Sequence, residues 1–347
     1  MNLIPRYDIT IILPVFNASK YIDESVNSIL QQTFKNFTLL IINDGSTDNS
    51  GPILERMASK DSRIRLFQRE NRGLIATLNE GLALCTTPLV ARMDADDWAF
   101  PQRIEVQHTY MTAHPEVAVC GSGMVEYESG RLHNWHGYGE EVKIKLLFNC
   151  CIFHPTILAR RDALLAVGGY ATNMPGAEDY DLWARLAENG QQLAVLPNIL
   201  LRYRIHPRQA RSTYKAQMSR STKKIQSRLF ASLGITPRPC DFERHAYCAS
   251  PCPETLRGLR HAHSWIQRLR DTNETKKTYD PLIFNRFLSD IQNSFILISF
   301  KNNWYQYLRR LFRNIFFNFI FKIGMTGDES LFFGAKHYFL KTTKFKK

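Results

Sequence analysis

Pro88-Leu89-Val90-Ala91-Arg92-Met93 running into Asp94-Ala95-Asp96-Asp97 is the stretch around which the rest of this chain is organised. A short, mostly apolar run reads as a buried strand, and the acids fall where that strand ends. An Asp-x-Asp at a strand terminus supplies hard oxygen ligands able to hold a divalent cation against a diphosphate. Downstream, Glu178-Asp179 offers a second acidic pair that can supply a base. Together the two pairs point to transfer of a group from an activated donor.

The residues before this stretch repeat one alternation. Ile9 to Val15 is a buried-strand run closed by Pro14 and Asn17, after which Tyr21, Ile22, Ser25, Val26, Ile29 and Leu30 recur at helical spacing. Phe37 to Ile42 is a second strand run, ending at Asn43-Asp44-Gly45-Ser46. Thr47-Asp48-Asn49-Ser50 carries helix-capping residues and Pro52 sits near the first turn of a helix over Ile53 to Ala58. Arg63 to Phe67 is a third strand, Leu74 to Leu84 a helix, and Pro88 to Met93 the fourth strand. Strand-helix alternation of this kind predicts an α/β fold with a mostly parallel, doubly wound sheet.

Ligands of such sheets bind outside the carboxyl ends of the strands. Pro14 to Asn17, Asp44 with Gly45, and Asp94 with Asp96 each end a strand run, so one crevice collects several acids. Asp48 is read as a cap or turn residue, and Asp44 and Asp94 as ligand contacts.

The chain has 347 residues, of which 44% are hydrophobic, enough for one catalytic domain of roughly 200 to 250 residues and an appendage. The predicted division is 1–215 and 216–347. Met1 to Asp8 holds Arg6 and Asp8 before the first apolar run, which suits neither a secretory signal nor a membrane span and reads as cytosolic. Seven cysteines at irregular spacing do not form a disulfide framework. Cys240, His245, Cys248 and Cys252 cluster, but their spacing matches no common zinc module, and incidental thiols are the plainer reading.

The net charge of +13 is concentrated after Arg202. No nucleic-acid module accompanies it. Within Asn303 to Ile323, Trp304, Tyr305, Leu308, Leu311, Phe312, Ile315, Phe316 and Phe319 recur at helical spacing among Arg309, Arg310, Arg313 and Lys322. This pattern is expected to lie on an anionic membrane surface, with packing on the protein and a spanning segment as the alternatives.

Pro14-Val15-Phe16-Asn17, Asn43-Asp44-Gly45-Ser46-Thr47-Asp48, Asn71-Arg72-Gly73, Asp94-Ala95-Asp96-Asp97, His154-Pro155, Gly168-Gly169-Tyr170, Glu178-Asp179-Tyr180-Asp181-Leu182-Trp183 and Arg202-Tyr203-Arg204 follow one another between Tyr7 and Ser212. In order and spacing the chain resembles glycosyltransferase family 2. The resemblance implies a GT-A fold and inverting transfer from a nucleotide sugar, with UDP as the first nucleotide to try. Pro14, Phe16 and Asn17 would then wall the nucleotide site, Asp44 would hydrogen-bond the base, and Arg72 would approach base or phosphate. Asp94 would meet the ribose or sugar, and Asp96 would ligate Mg2+ or Mn2+ bridging the phosphates, with Asp97 behind it and His206 as a further ligand. Asp179 would be the base and Glu178 would position acceptor or donor. Arg202 and Arg204 would close over the diphosphate.

His154 is read as either an acceptor-side residue or a core and turn residue, and Trp183 as packing. The Gln-x-x-Arg-Trp motif of processive members is absent, so transfer of one sugar or a few is expected. A glycan or polyprenyl-linked acceptor at the inner membrane face would suit the basic, aromatic C-terminal third. Two rival classes are a nucleotidyltransferase, for which Pro14 to Asn17 offers no phosphate-cradling loop, and a non-catalytic nucleotide-sugar-binding protein.

Overall fold

Four apolar segments form the parallel half of one sheet in the computed structural model, which describes residues 7–206, 215–249 and 256–301. The strands are β1 (Ile9–Val15), β2 (Phe37–Asp44), β3 (Ile64–Arg69), β4 (Leu89–Arg92), β5 (Trp98–Ala99), β6 (Val117–Glu126), β7 (Leu132–His133), β8 (Gly137–Tyr138), β9 (Leu158–Arg160) and β10 (Gln192–Tyr203). The helices are α1 (Ile22–Leu30), α2 (Ser50–Ala58), α3 (Leu74–Leu84), α4 (Arg103–Ala113), α5 (Glu140–Phe148), α6 (Arg161–Ala166), α7 (Glu178–Glu188), α8 (Lys215–Ser232), α9 (Pro239–Ala249), α10 (Leu256–Lys276) and α11 (Pro281–Lys301).

The sheet runs β3-β2-β1-β4-β9-β6-β10-β5. β3, β2, β1 and β4 are mutually parallel, as the strand-helix alternation predicts. Every residue of β1 and β2 is buried, because helices cover both faces of these strands and leave no place for a polar side. The second half is mixed. β9 enters antiparallel to both β4 and β6, and β10 returns parallel to β6. Its three residues are too short a run to be recognised from periodicity.

Beyond β10 the helical segment is fastened to the face formed by α5 and α7. Leu146, Leu147, Phe148 and Trp183 belong to the same buried cluster as Phe230, Trp265, Phe284 and Leu288. His245 is buried between them. Its Nε2–H donates to Leu147 O at 2.9 Å, its Nδ1 accepts from Trp265 Nε1 at 3.0 Å, and its ring stacks on Phe148. Burial pushes the His245 pKa down to about 4, so it stays neutral.

Both nitrogens of His245 being engaged, the histidine cannot serve the Cys240, His245, Cys248 and Cys252 set as a zinc ligand. Cys240 is exposed, Cys248 is buried beside Arg244 O, and Cys252 lies outside the described residues. The Asn303 to Ile323 segment also lies outside them. Among the described residues no helix is long and apolar enough to cross a membrane. A cavity of about 370 Å³, lined in part by Trp135, Lys145, Phe148, Ile283 and Phe287, separates α5 from α11, and none of the acids at the strand ends lines it.

Candidate active site

The crevice is built where β1, β2 and β4 end. After β1 the chain turns at Asn17, whose φ of 51° is a conformation that asparagine tolerates. Its Oδ1 accepts from Thr47 N at 2.8 Å and its own N–H donates to Ser46 Oγ, so the β1 and β2 loops are stitched together. Pro14 is buried at the end of β1, while Phe16 stands 53% exposed on the rim.

Asp44 has a part that sequence did not reveal. Its carboxylate accepts the backbone N–H groups of Arg72 at 2.7 Å and Gly73 at 2.9 Å, and pairs with Arg69. It therefore holds the Asn71-Arg72-Gly73 loop in place, with its side chain 5% exposed. Gly45 is needed here: at φ 69°, a Cβ would come within 2.5 Å of Asn71 N. Arg72 itself is exposed on this loop.

Asp94, Asp96 and Asp97 follow β4, with one carboxylate oxygen of each within 4.8 Å of the others. Arg92 grips Asp94, and Ser25 Oγ donates to Asp94 O at 2.9 Å. Asp96 Oδ2 meets His206 Nε2 at 2.8 Å. Asp97 Oδ1 accepts Arg204 N at 2.9 Å, whereas its Oδ2 is buried with no partner among the described residues. Burial, then the neighbouring charges of Asp94 and Asp96, push the Asp97 carboxyl well above the usual range. An orphaned carboxylate oxygen beside two further carboxylates is a hard oxygen donor set that fits Mg2+ or Mn2+, and the adjacent imidazole is a borderline nitrogen donor.

Glu178 and Asp179 open α7, where the helix N-terminus favours negative charge. Asp179 Oδ1 accepts Tyr180 N at 2.7 Å and its Oδ2 lies 3.7 Å from the Cys150 thiol. Burial raises the Asp179 carboxyl, and burial with the adjacent Asp179 charge pushes Glu178 up to about 7. Asp94 is pushed up to about 6, by burial first and then, against the pull of Arg92, by Asp96 and Asp179. Asp179 at the start of α7 is thus near enough to the acids after β4 for its charge to act on Asp94.

His154 and Tyr170 form a buried pair nearby. His154 Nε2 meets Tyr170 OH at 2.8 Å, and burial followed by the Arg92 charge lowers the His154 pKa well below its ordinary value. Asn79 anchors Tyr170 through backbone N and O. Trp183 is fully buried and donates to Ile152 O at 3.2 Å, which is packing as expected.

The two arginines at the end of β10, Arg202 within the strand and Arg204 just beyond it, are held by aromatic rings and acidic or carbonyl groups. Arg202 lies over the rings of Trp98, Phe100 and Tyr127. Arg204 lies over Tyr21 and Tyr127, pairs with Glu24 at 2.7 Å and donates Nε to Asp96 O at 3.0 Å. In this arrangement Arg204 braces the loop that carries Asp96. Sequence reasoning missed Arg92, Cys150 and the use of Tyr170. A charge interrupting the otherwise apolar β4 was the available signal for Arg92.

Solved structures share this fold. S. aureus TarS residues 1–349, crystallised with UDP-GlcNAc, aligns with a TM-score of 0.56 at 17% identity, covering 85% of this chain and 91% of that one. A mannosyltransferase from Pyrobaculum calidifontis, solved with GDP-Man and Mn2+, aligns at 0.54 and 18% identity, covering 86% and 88%. Residues 10–168 match the model of Glycosyl transferase family 2, and residues 149–242 that of Glycosyltransferase like family 2. The O-antigen biosynthesis glycosyltransferase WbnJ of Escherichia coli is 33% identical over 217 residues, which is 61% of this chain and 84% of that protein. The chain belongs to glycosyltransferase family 2, with the GT-A fold, and is a glycosyltransferase. The nucleotidyltransferase and non-catalytic readings are thereby left without support.

Proposed function

We propose that the protein is an inverting, metal-dependent glycosyltransferase that moves one sugar from a nucleotide-diphosphate sugar, a UDP-sugar first, to a hydroxyl of a glycan or polyprenyl-linked acceptor in surface-polysaccharide assembly. The observation that carries this reading is the cluster of Asp94, Asp96 and Asp97 at the end of β4, with Asp179 near enough for its charge to act on Asp94. It is supported by the similarity to WbnJ, an O-antigen biosynthesis glycosyltransferase, and by the UDP-GlcNAc complex of TarS and the GDP-Man and Mn2+ complex of the Pyrobaculum mannosyltransferase.

In this mechanism Pro14, Phe16 and Asn17 wall the nucleotide, and Asp44 contributes by presenting the Arg72 loop and by facing the base. Asp94 contacts the ribose or sugar. Asp96 and His206 would hold the cation, with Asp97 behind them. The chemistry that bound Mg2+ or Mn2+ supplies at these carboxylates is stabilisation of the charge gained by the departing nucleoside diphosphate. Asp179 takes the proton of the acceptor hydroxyl as that oxygen attacks the anomeric carbon from the face opposite the diphosphate. Glu178 orients acceptor or donor, and Arg202 and Arg204 border the diphosphate side.

The division into a catalytic unit over 1–215 and an appendage over 216–347 belongs to the same proposal. The appendage would rest on the inner, anionic face of the cell membrane. Exposed Lys215, Arg220, Lys223 and Lys224 on α8 and the basic aromatic sequence of 303–323 support it. Because Phe284 and Leu288 of α11 are fully buried, the truncation that tests it ends after Lys301. Loss of flotation with anionic vesicles is expected, and unchanged flotation would refute it.

The transferase reading is tested by thermal shift with UDP, GDP, CMP and dTDP, with and without Mn2+, on the wild type and on Asp96→Ala. A metal-dependent shift with one nucleotide, lost in the variant, is expected. No shift with any nucleotide would count against the diphosphate site.

A further inference from the structure

Five carboxylates, Asp94, Asp96, Asp97, Glu178 and Asp179, lie near one deeply buried cation. Arg92 is the last residue of β4 and is 4% exposed. Its guanidinium grips both oxygens of Asp94, Nη1 donating to Oδ2 at 2.5 Å and Nη2 facing Oδ1. Two parallel bonds of this kind fix the rotation of a carboxylate, which a single donor does not. The same charge acts on Asp97, on Glu178 and Asp179 at the start of α7, and on the buried His154 and Tyr170 pair.

Packing alone does not account for this residue. Leu89, Val90 and Ala91 show what the rest of β4 requires, and a second buried cation, Arg103, stands close by and donates Nη2 to Arg92 O at 2.7 Å. Two neighbouring buried guanidiniums oppose each other, and that cost is offset at Arg92 by its carboxylate partner. Arg92 is also not a saturated clasp. Its Nε–H is buried with no acceptor among the described residues, so one donor of the fork is uncommitted.

We propose that Arg92 is a positioning residue that joins the two halves of the site: its fork aims Asp94 at the donor, and its charge allows the Glu178-Asp179 pair to sit beside the metal-side acids. The inference rests on the transferase reading above. It predicts separate consequences for geometry and for charge, because lysine preserves the charge and loses the fork.

The test measures kcat, donor KM and melting temperature for Arg92→Met, Arg92→Lys, Asp94→Asn and the double variant Arg92→Met/Asp94→Asn, with the nucleotide sugar turned over by the wild type. Arg92→Met is expected to lower kcat/KM at least 100-fold. Arg92→Lys is expected to recover part of kcat while donor KM stays at least tenfold raised at a native melting temperature. The loss in the double variant should fall at least tenfold short of the product of the single losses, since the fork acts through Asp94.

A folded Arg92→Met with kcat and KM within threefold of wild type overturns the inference, as does a double variant whose losses multiply. If Arg92→Met does not fold, Arg92→Lys decides: a folded lysine variant with wild-type donor KM overturns it, and one with the raised KM supports it. A wild type that turns over no nucleotide sugar overturns the transferase reading and the inference with it. An active wild type with indifferent Arg92 variants overturns the inference alone.

Discussion

Replacing Asp179 with asparagine separates the chemistry of this site from its architecture. The carboxylate makes two contacts, accepting Tyr180 N at 2.7 Å and standing 3.7 Å from the Cys150 thiol. An amide of the same shape keeps an oxygen for Tyr180 N–H and turns its NH2 toward sulfur, a weak acceptor, so the structural loss is at most about 1 kcal/mol. Because burial raises the Asp179 carboxyl, removing its charge also relieves a desolvation cost, and the melting temperature should not fall. What asparagine cannot do is take a proton. A general base contributes roughly 100- to 10,000-fold, or about 3 to 5 kcal/mol of barrier. Release of nucleoside diphosphate from the donor, measured with a lipid extract of the producing cells as acceptor, should therefore fall by that factor, while the nucleotide- and Mn2+-dependent thermal shift persists. In the wild type the acid limb of kcat/KM should lie above the ordinary carboxylate range, with rate lost as pH falls through the raised value. A folded Asp179→Asn that transfers within tenfold of wild type would refute the assignment of the base.

Other expectations follow from the same geometry. Glu178 titrates at about 7 in the fold against 4.5 as a free side chain, so the folded state loses stability as pH rises from the lower value through the upper one. Glu178→Gln should thus be more stable than wild type at pH 8, by on the order of 3 kcal/mol, and close to it near pH 4; calorimetric melts at both pH values check this. Gly45→Ala places a methyl 2.5 Å from Asn71 N at a φ of 69°, so the loop clasped by Asp44 must shift. Donor KM should rise at least tenfold, and steady-state kinetics with an unaltered KM would count against the clasp. Trp265→Phe strands the buried Nδ1 of His245 and is expected to lower stability by about 1 to 3 kcal/mol in urea titration.

Asp44, Asp94 and Asp96 were legible because they stand at or just after strand ends, whereas Glu178 and Asp179 open a helix. The helix over Leu74 to Leu84 and the strands around Asp44 and Asp94 lie where the apolar periods place them. Periodicity could not reveal β9, since three residues carry no period, nor that it would enter antiparallel between β4 and β6. Arg202 and Arg204 illustrate a different limit. Their residue type suits phosphate, but the aromatic rings of Tyr21, Trp98, Phe100 and Tyr127 come from other segments, and only their convergence shows what the guanidiniums touch.

By itself the sequence determined the parallel half of the sheet, the family and the acids of the crevice, because hydrophobic period and strand-end chemistry are local properties written along the chain. The tertiary structure alone decided the partners. It set Arg92 against Asp94, gave the Asp44 carboxylate to the Arg72 loop, bound His245 between Leu147 and Trp265, and left Asp97 with a buried oxygen unmatched among the described residues. These are contacts between residues distant in sequence or directions taken by side chains, and their energies depend on burial that exists only once the layers have packed.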